Sequence, residues 1–202
     1  RFLVLGYSGG GPFALALAAR HPKRIAAIGI VSGVGPARSG STGMHASNQR
    51  KFDMARKMPW LARAMLFAAF SGLRKNPARL SSQLHHIWEQ MPAPDQKVLS
   101  DSRFADGILA VTRDAIQNSV NGWVNEELLM ALPWGFTPQE ISCSNIYLWH
   151  GSKDKNVPLA MGKAVAEQLP GCRASFLKDE GHLSLLYNHG SEIIATLVQA
   201  GG

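Results

Sequence analysis

The chain has 202 residues, of which 46% are apolar and 17% are charged, a balance typical of one globular domain of ordinary size. It contains no apolar run long enough to cross a bilayer and no pattern of a secretory leader, so we expect a soluble, cytoplasmic protein that does not bind membranes. The formal net charge is +7, but the lysines and arginines are scattered without interleaved aromatic residues, so we expect no nucleic-acid partner.

The start of the chain has the pattern of a strand, a helix and a second strand. Residues 2–5 form a short apolar run before a glycine-rich turn, and Pro12 suits the first turn of a helix that reaches Arg20. Pro22 stops that helix, and residues 25–31 form a second apolar run. This spacing predicts a βαβ unit with parallel strands and a right-handed crossover.

The middle of the chain has a different character. Met, Ala, Leu, Lys and Arg recur there at the three- and four-residue spacings of helices, with breaks at Pro59 and near Gly122. No further strand–helix–strand pattern occurs in this part. We therefore predict an all-helical cap over residues 36–135, inserted into an α/β core made of residues 1–35 and 136–202.

The alternation of strands and helices resumes towards the end of the chain. Residues 145–149 are a predicted strand, residues 159–169 a helix and residues 174–177 a further strand. A last helix is predicted from about residue 191 to residue 199. The parallel sheet of the core would therefore contain strands from both ends of the sequence.

The sequence gives no sign of a metal site or a disulfide framework. Cys143 and Cys172 are far apart and lack Cys-x-x-Cys spacing, so we expect two reduced thiols. His85 and His86 are adjacent on a predicted helix, which does not place two ligands on one face. We expect no metal and no cofactor.

Three chemically active side chains each follow a predicted strand. Ser8 lies in the turn Gly6-x-Ser8-x-Gly10, Asp154 in the loop after the third strand, and His182 in the loop after the fourth. Because the carboxyl ends of parallel strands meet at one edge of a sheet, these loops are expected to converge. A serine hydroxyl needs a base to become a nucleophile, and a histidine base needs a carboxylate to orient it. Small residues two places before and after the serine permit the tight turn that exposes it.

In this order and context, the segments GYSGGG, HGSKDKNVP and EGHLSLL resemble the motifs of the α/β-hydrolase fold family, in members with a helical cap. The resemblance implies a partial α/β-hydrolase fold, a parallel sheet flanked by helices. It also implies a serine hydrolase that cleaves an ester or related small acyl substrate through an acyl-enzyme, with Ser8 as nucleophile, His182 as base and Asp154 as orienting carboxylate. By the same resemblance the Gly9 amide donates to the oxyanion, Tyr7 contributes to substrate binding, and no cofactor is required.

Other activities remain open on these motifs. Amidases, carbon–carbon bond hydrolases and cofactor-free perhydrolases of the family share the three residues. Dehalogenases and epoxide hydrolases generally use an aspartate nucleophile, and proline-releasing peptidases usually have a tryptophan beside the serine, where this chain has Tyr7 and Gly9. A non-catalytic binding module is a further alternative, although such members commonly lose one of the three residues.

Several further side chains have both a functional and a structural interpretation. His150, at the end of its strand, either lines the site or hydrogen-bonds its own loop. Four tryptophans either line an apolar substrate cavity or form ordinary core: Trp60, Trp88, Trp123 and Trp134. Three carboxylates of the predicted cap are interpreted as solvated helix residues: Asp101, Asp106 and Asp114.

The sheet of the family has about eight strands, and only four are readable here. The missing strands lie upstream of Ser8 in chain order and carry the loop that supplies the second oxyanion amide. We expect this chain to be a piece of a longer protein that could lack activity alone. The alternatives are that another chain supplies the upstream strands, or that self-association covers the edge of residues 2–5.

Overall fold

A computed structural model describes residues 1–36 and 41–202, and its centre is one parallel sheet. The strand order is β1–β2–β3–β4, with bounds β1 (Phe2–Tyr7), β2 (Ile25–Val31), β3 (Ile146–Gly151) and β4 (Arg173–Leu177). The register sets Tyr7 beside Val31, Val31 beside Trp149, and Trp149 beside Ser175, so the four carboxyl ends share one edge. The predicted parallel α/β sheet is confirmed.

Nine α-helices accompany this sheet in the described part of the chain. They are α1 (Gly10–Arg20), α2 (Ala46–Lys57), α3 (Pro59–Lys75), α4 (Pro77–Glu89), α5 (Ala93–Leu99), α6 (Ser102–Ile116), α7 (Asn121–Ala131), α8 (Leu159–Gln168) and α9 (His182–Gly201). We call α2–α7, which lie between β2 and β3 in the chain, the helical layer. None of the helices described is both long and apolar enough to cross a bilayer.

Strand β2 is buried along its whole length because helices pack on both faces of the sheet. Ile28 and Ile30 pack with Leu15 of α1 on one face. Val31 packs with Leu185 of α9 on the other face. This two-sided burial is typical of parallel sheets, and it explains why β2 is a continuous apolar run without alternation.

The helical layer has an apolar core of its own. Leu66 of α3, Ile116 of α6 and Val124 of α7 are buried together in it. The all-helical character predicted for this part of the chain agrees with the structure. The division into a cap of residues 36–135 and a core on either side of it stays a prediction, and residues 37–40 lie outside the described residues.

Two helix boundaries differ from the sequence prediction. The break expected near Gly122 lies earlier, because the Asn121 amide donates to Ser119 Oγ at 3.1 Å and starts α7, leaving Gly122 inside its first turn. The last helix begins at His182 rather than near residue 191, because its first amides find an acceptor in a distant carboxylate of α5. Helix α5 has no separate counterpart among the helices that the sequence predicts.

Strand β1 forms one edge of the four-stranded sheet and keeps apolar side chains at the surface. Phe2, Leu3 and Leu5 are each more than one third exposed. An exposed apolar edge strand is a template for pairing with another strand. That a further segment or a second copy covers this edge stays a prediction.

Both cysteines are free thiols in the structure, as expected from their spacing. Each is half-buried against the core on the α1 and α8 face of the sheet. Burial raises the pKa of Cys172 to about 11 and raises that of Cys143 as well. Neither thiol is therefore poised as a nucleophile.

We expect Ile193→Ala in α9 to lower the free energy of unfolding by about 2–5 kcal/mol, because its side chain is buried against β2 and β3. Ile194→Ala is the matched control, since the neighbouring side chain is 55% exposed and its loss should change stability by no more than about 0.5 kcal/mol. Urea unfolding followed by circular dichroism measures both. Equal losses in the two variants would contradict the packing of α9 described above.

Candidate active site

Ser8 occupies the sharp turn between β1 and α1 in a strained backbone conformation. Its φ angle is +53°, in the left-handed region that non-glycine residues rarely adopt. The conformation is held by the Ser8 amide, which donates to Val31 O at 2.9 Å, and by the Ser8 carbonyl, which accepts from the amides of Gly11 and Val34 at 3.0 and 3.1 Å. Such strain is typical of a serine presented for reaction.

The two glycines of the turn are not equivalent. A Cβ at Gly6 would lie 2.6 Å from Gly10 O and 2.8 Å from Ala14 Cβ, so the close approach of α1 to β1 requires glycine there. A Cβ at Gly10 would have no neighbouring atom within 4 Å. The steric requirement predicted for both positions therefore holds only for Gly6, because the backbone crowding lies on the strand side of the turn.

Asp154 follows β3, and its side chain is fully buried. Oδ1 accepts hydrogen bonds from the amides of Asn156 and Val157 at 2.9 and 2.8 Å, and Oδ2 lies 2.8 Å from His182 Nδ1. Burial alone would raise the pKa of Asp154, but His182 and the amide of Val157 lower it below its usual value. The group is therefore a carboxylate whose charge is satisfied locally.

His182 is the first residue of α9, and its ring bridges the other two side chains. Nδ1 lies 2.8 Å from Asp154 Oδ2, and Nε2 lies 2.9 Å from Ser8 Oγ. A carboxylate only accepts, so Nδ1 carries the proton and Nε2 is left to accept from the serine hydroxyl. Burial lowers the pKa of His182, but the charge and hydrogen bond of Asp154 and the charge of Asp95 outweigh it and raise the pKa.

Gly9 stands at the start of α1, directly after Ser8. It lines a cavity of about 170 Å³ together with Ser8 and His182. A Cβ at Gly9 would lie 2.7 Å from the sulfur of Met130, which shows how closely α7 approaches this point. The amide of Gly9 thus lies at a helix N-terminus beside the cavity, where partial positive charge accumulates.

Tyr7 contacts the backbone and the ring of His182 and does not line the cavity. Its hydroxyl donates to His182 O at 3.0 Å, and the two rings lie 5.1 Å apart. It is not among the residues that line the cavity beside Ser8. Burial, followed by the charges of Asp154 and Asp95, raises the pKa of Tyr7. Its part in substrate binding stays a prediction, and its contacts favour a role in holding His182.

The structural interpretation of His150 is the one that the contacts support. The ring is fully buried, and Nε2 is 2.9 Å from the carbonyl of Val157 in its own loop. Burial lowers the pKa of His150, which keeps the ring neutral although Asp154 Oδ2 is 3.7 Å away. His150 therefore braces the loop that carries Asp154 without reaching the cavity.

A second cavity of about 450 Å³ lies within the helical layer. Its apolar wall comes mainly from α3, α4, α6 and α7 and includes Leu73, Leu84 and Trp123. The two cavities adjoin at five residues that line both of them, which we call the neck: Asn48, Lys51, Leu66, Glu127 and Asn156.

The neck combines one apolar residue with a charged pair. Lys51 Nζ lies 3.9 Å from Glu127 Oε1, and the same oxygen accepts from Trp123 Nε1 at 3.0 Å. Beside them, Asn48 Nδ2 donates to Asn156 Oδ1 at 3.4 Å. The space beside Ser8 therefore adjoins an apolar compartment, and a largely polar set of side chains lies between them.

The four tryptophans separate into different environments. Trp123 lines the larger cavity, whereas Trp60 is 72% exposed on α3. Trp88 is buried beside the ring of His85, and Trp134 packs on the core at the α1 face of the sheet. The cavity interpretation therefore favours Trp123, because the separate cavity that Trp134 lines shares no residue with the one beside Ser8.

Asp95 is a residue of the site that sequence reasoning missed. It belongs to α5, is 0% exposed, and accepts hydrogen bonds from the amides of His182, Leu183 and Ser184. In the sequence it stands in the unremarkable segment MPAPDQKVL, 87 residues before His182. No local signal links the two, because the contact depends on how the helical layer packs against α9.

Within residues 1–36 and 41–202, no group of three or more His, Cys, Asp and Glu side chains is arranged to hold a metal ion. His85 Nδ1 donates to the carbonyl of Ser81 at 2.8 Å, one turn earlier on the same helix. His86 pairs with Gln90 and Glu89 on its own helix turn.

Comparison with known proteins gives one family and a set of similar folds. The family model described as the alpha/beta hydrolase fold matches residues 1–189. No curated protein matches the chain. Among solved structures, Rv0554 from Mycobacterium tuberculosis is 18% identical with a TM-score of 0.61, over 99% of this chain and 66% of that one.

Two further solved structures are similar to a comparable degree. A thermophilic esterase from Thermogutta terrifontis is 17% identical with a TM-score of 0.59, over 100% of this chain and 66% of that chain. The enol-lactonase from Burkholderia xenovorans LB400 is 21% identical with a TM-score of 0.58, over 97% of this chain and 64% of that chain. At these identities the likeness shows the fold alone, and this chain spans about two thirds of the length of each structure.

We expect Gly6→Ala to lower the free energy of unfolding by about 1–3 kcal/mol, because the added methyl group would overlap the backbone of α1. Gly10→Ala, in the first turn of the same helix, is the matched control and should change stability by no more than about 1 kcal/mol. Urea denaturation compares the two. A Gly10 variant as damaged as the Gly6 variant would show that the turn is packed differently.

Proposed function

Because the chain belongs to the alpha/beta hydrolase fold family, we propose that it is the catalytic part of a serine hydrolase that cleaves an ester or a related acyl substrate. The observation that carries the proposal is the unbroken hydrogen-bonded line from Ser8 Oγ through the His182 ring to Asp154. The strained φ angle of Ser8 and the buried carboxylate both support it. That two similar folds are an esterase and an enol-lactonase agrees with this class of substrate.

In the proposed reaction, Ser8 Oγ attacks the carbonyl carbon while its proton passes to His182 Nε2. The charge that develops on the carbonyl oxygen would be stabilised by the Gly9 amide at the start of α1. His182 then returns the proton to the departing alkoxide, and an acyl-serine remains. A water molecule, deprotonated by the same nitrogen, releases the acid and restores the serine.

Asp154 contributes by fixing the ring and its tautomer. With Nδ1 bound at 2.8 Å, the ring is oriented so that only Nε2 can exchange a proton with Ser8. The carboxylate also stabilises the imidazolium that forms during each step, which agrees with the raised pKa of His182. Its own two amide hydrogen bonds keep it ionised while it does so.

The helical layer would act as a cap that shapes the substrate space. Residues of α2, α3 and α7 complete the 170 Å³ cavity above Ser8, including Phe52, Leu66 and Met130. This cavity admits a small group, whereas the 450 Å³ compartment beyond the neck suits a longer apolar one. We therefore propose an acyl substrate with a small group on one side of the carbonyl and an extended apolar group on the other.

A fluorophosphonate reporter tests the proposal, because it reacts covalently only with an activated serine. The chain should be labelled, and Ser8→Ala should lose labelling completely while keeping its circular dichroism spectrum. Ser32→Ala is the matched control, since Ser32 likewise follows a parallel strand directly and has a positive φ, whereas the hydroxyl near His182 Nε2 is that of Ser8. A folded protein that stays unlabelled even when the expected upstream strands are present would favour the non-catalytic alternative, a binding module of the same fold.

We expect Trp123→Ala to lower kcat/KM for long-chain p-nitrophenyl esters relative to short-chain ones by about tenfold, the ratio that corresponds to roughly 1.4 kcal/mol of lost apolar contact. The reason is that Trp123 lines the larger cavity. Trp60→Ala removes a tryptophan of the same layer that is 72% exposed, and it should leave the ratio unchanged. Identical ratios in both variants would exclude the larger cavity as the apolar compartment.

A further inference from the structure

The helix that begins with His182 is capped by a carboxylate from a distant part of the chain. Asp95 Oδ2 accepts from the amide of His182, and Oδ1 accepts from the amides of Leu183 and Ser184, each at 2.9 Å. These are the first three amides of α9, which have no partner within the helix. A single carboxylate of the helical layer therefore satisfies the whole first turn.

The residue before the helix makes room for this carboxylate. Gly181 occupies the position from which a side chain usually caps a helix, and it has none to offer. A Cβ at Gly181 would lie 2.3 Å from Asp95 Oδ1 and 2.5 Å from its Cγ. The lack of a side chain at Gly181 thus leaves the space that the Asp95 carboxylate occupies.

Asp95 has no cation among its hydrogen-bond partners, although it is completely buried. A buried charge is tolerated only when polar groups replace its lost water, and here the three amides and the positive end of the α9 dipole do so. The arrangement holds the backbone of His182 firmly, because the amide is fixed by Asp95 and the carbonyl by Tyr7.

We propose that Asp95 is a positioning residue of the hydrolytic site, which ties the helical layer to the start of α9 and holds His182 in line with Ser8. The inference rests on the proposed function. Through Asp95, the helical layer would contribute to the acid–base step as well as to substrate binding. Asp95 acts only through His182, since it is not among the residues lining the cavity beside Ser8.

The charge of Asp95 gives this role a measurable signature. Together with Asp154 it opposes the effect of burial and raises the pKa of His182. Removing the charge should therefore lower that pKa, so that the imidazole stays neutral, and able to act as a base, to a lower pH. The other titratable or charged groups around His182 are Asp154 after β3, His150 on β3, Tyr7 on β1, and Lys51 and Glu127 across the cavity.

The test compares Asp95→Asn with Asp101→Asn. Asp101 caps α6 through the amide of Arg103 and also contacts α9, through the hydroxyl of Tyr187 at 2.8 Å, but lies at the surface away from the cavity. It therefore reproduces a helix-capping carboxylate and a link to α9 without the proximity to His182. Two quantities are measured in each variant: the NMR titration of the His182 ring and the pH dependence of fluorophosphonate labelling.

In Asp95→Asn the NMR midpoint of His182 should move to lower pH, and the acid limb of labelling should move with it. The plateau rate should fall, by up to about 100-fold, because one or more amides lose their acceptor and the ring is less well held. Asp101→Asn should match the wild type in both. A folded Asp95→Asn protein with the wild-type midpoint and plateau would overturn the inference, and so would an equal shift in Asp101→Asn.

Gly181→Ala provides a second variant if Asp95→Asn does not fold. It displaces the carboxylate but keeps its charge, so the plateau rate of labelling should fall while the midpoint moves less; an unchanged plateau would overturn the inference. The NMR readout separates the two proposals. A shifted midpoint in a protein that is never labelled, even with the expected upstream strands present, supports the link between Asp95 and His182 and contradicts the hydrolase function.

Discussion

The hydrogen bond between Asp154 and His182 constrains how the strands and loops that carry these two residues are arranged. A carboxylate with no exposure needs several donors, and it finds them in the ring of His182 and two amides of its own loop. The ring and the loop come from segments after neighbouring strands, so β3 and β4 have to lie parallel and in register. The same sheet edge carries Ser8 at the end of β1, which completes the line.

The parts of the site that were predictable from the sequence are those with a local physical cause. An apolar run followed by a glycine turn shows where a strand ends, and parallel strands bring such ends together. For this reason the sequence singles out Ser8, Asp154 and His182, and His182 lies within hydrogen-bonding distance of the other two. The predicted bounds of β2, residues 25–31, also match those in the structure, because burial on both faces of this strand requires one continuous apolar run.

The parts that were not predictable depend on packing between distant segments. Asp95 has the same local features as Asp106 and Asp114, which are exposed, and only the approach of α5 to α9 makes it buried. The start of α9 differs from the predicted one for the same reason, since its cap is remote. Trp60 and Trp123 were indistinguishable by spacing, yet one is exposed and the other lines a cavity.

The contact between Asp95 and the start of α9 also affects the entropy of chain closure and the local opening of the native state. It closes a loop of 87 residues, so forming it costs chain entropy that short-range contacts do not. The first turn of α9 therefore has its full set of acceptors only when α5 is docked against it. In the native state, detachment of α5 would remove the acceptor of the His182 amide and loosen the contact between His182 and Ser8. The geometry of these two residues thus depends on the docking of two separately packed layers, and a local opening of one affects the other.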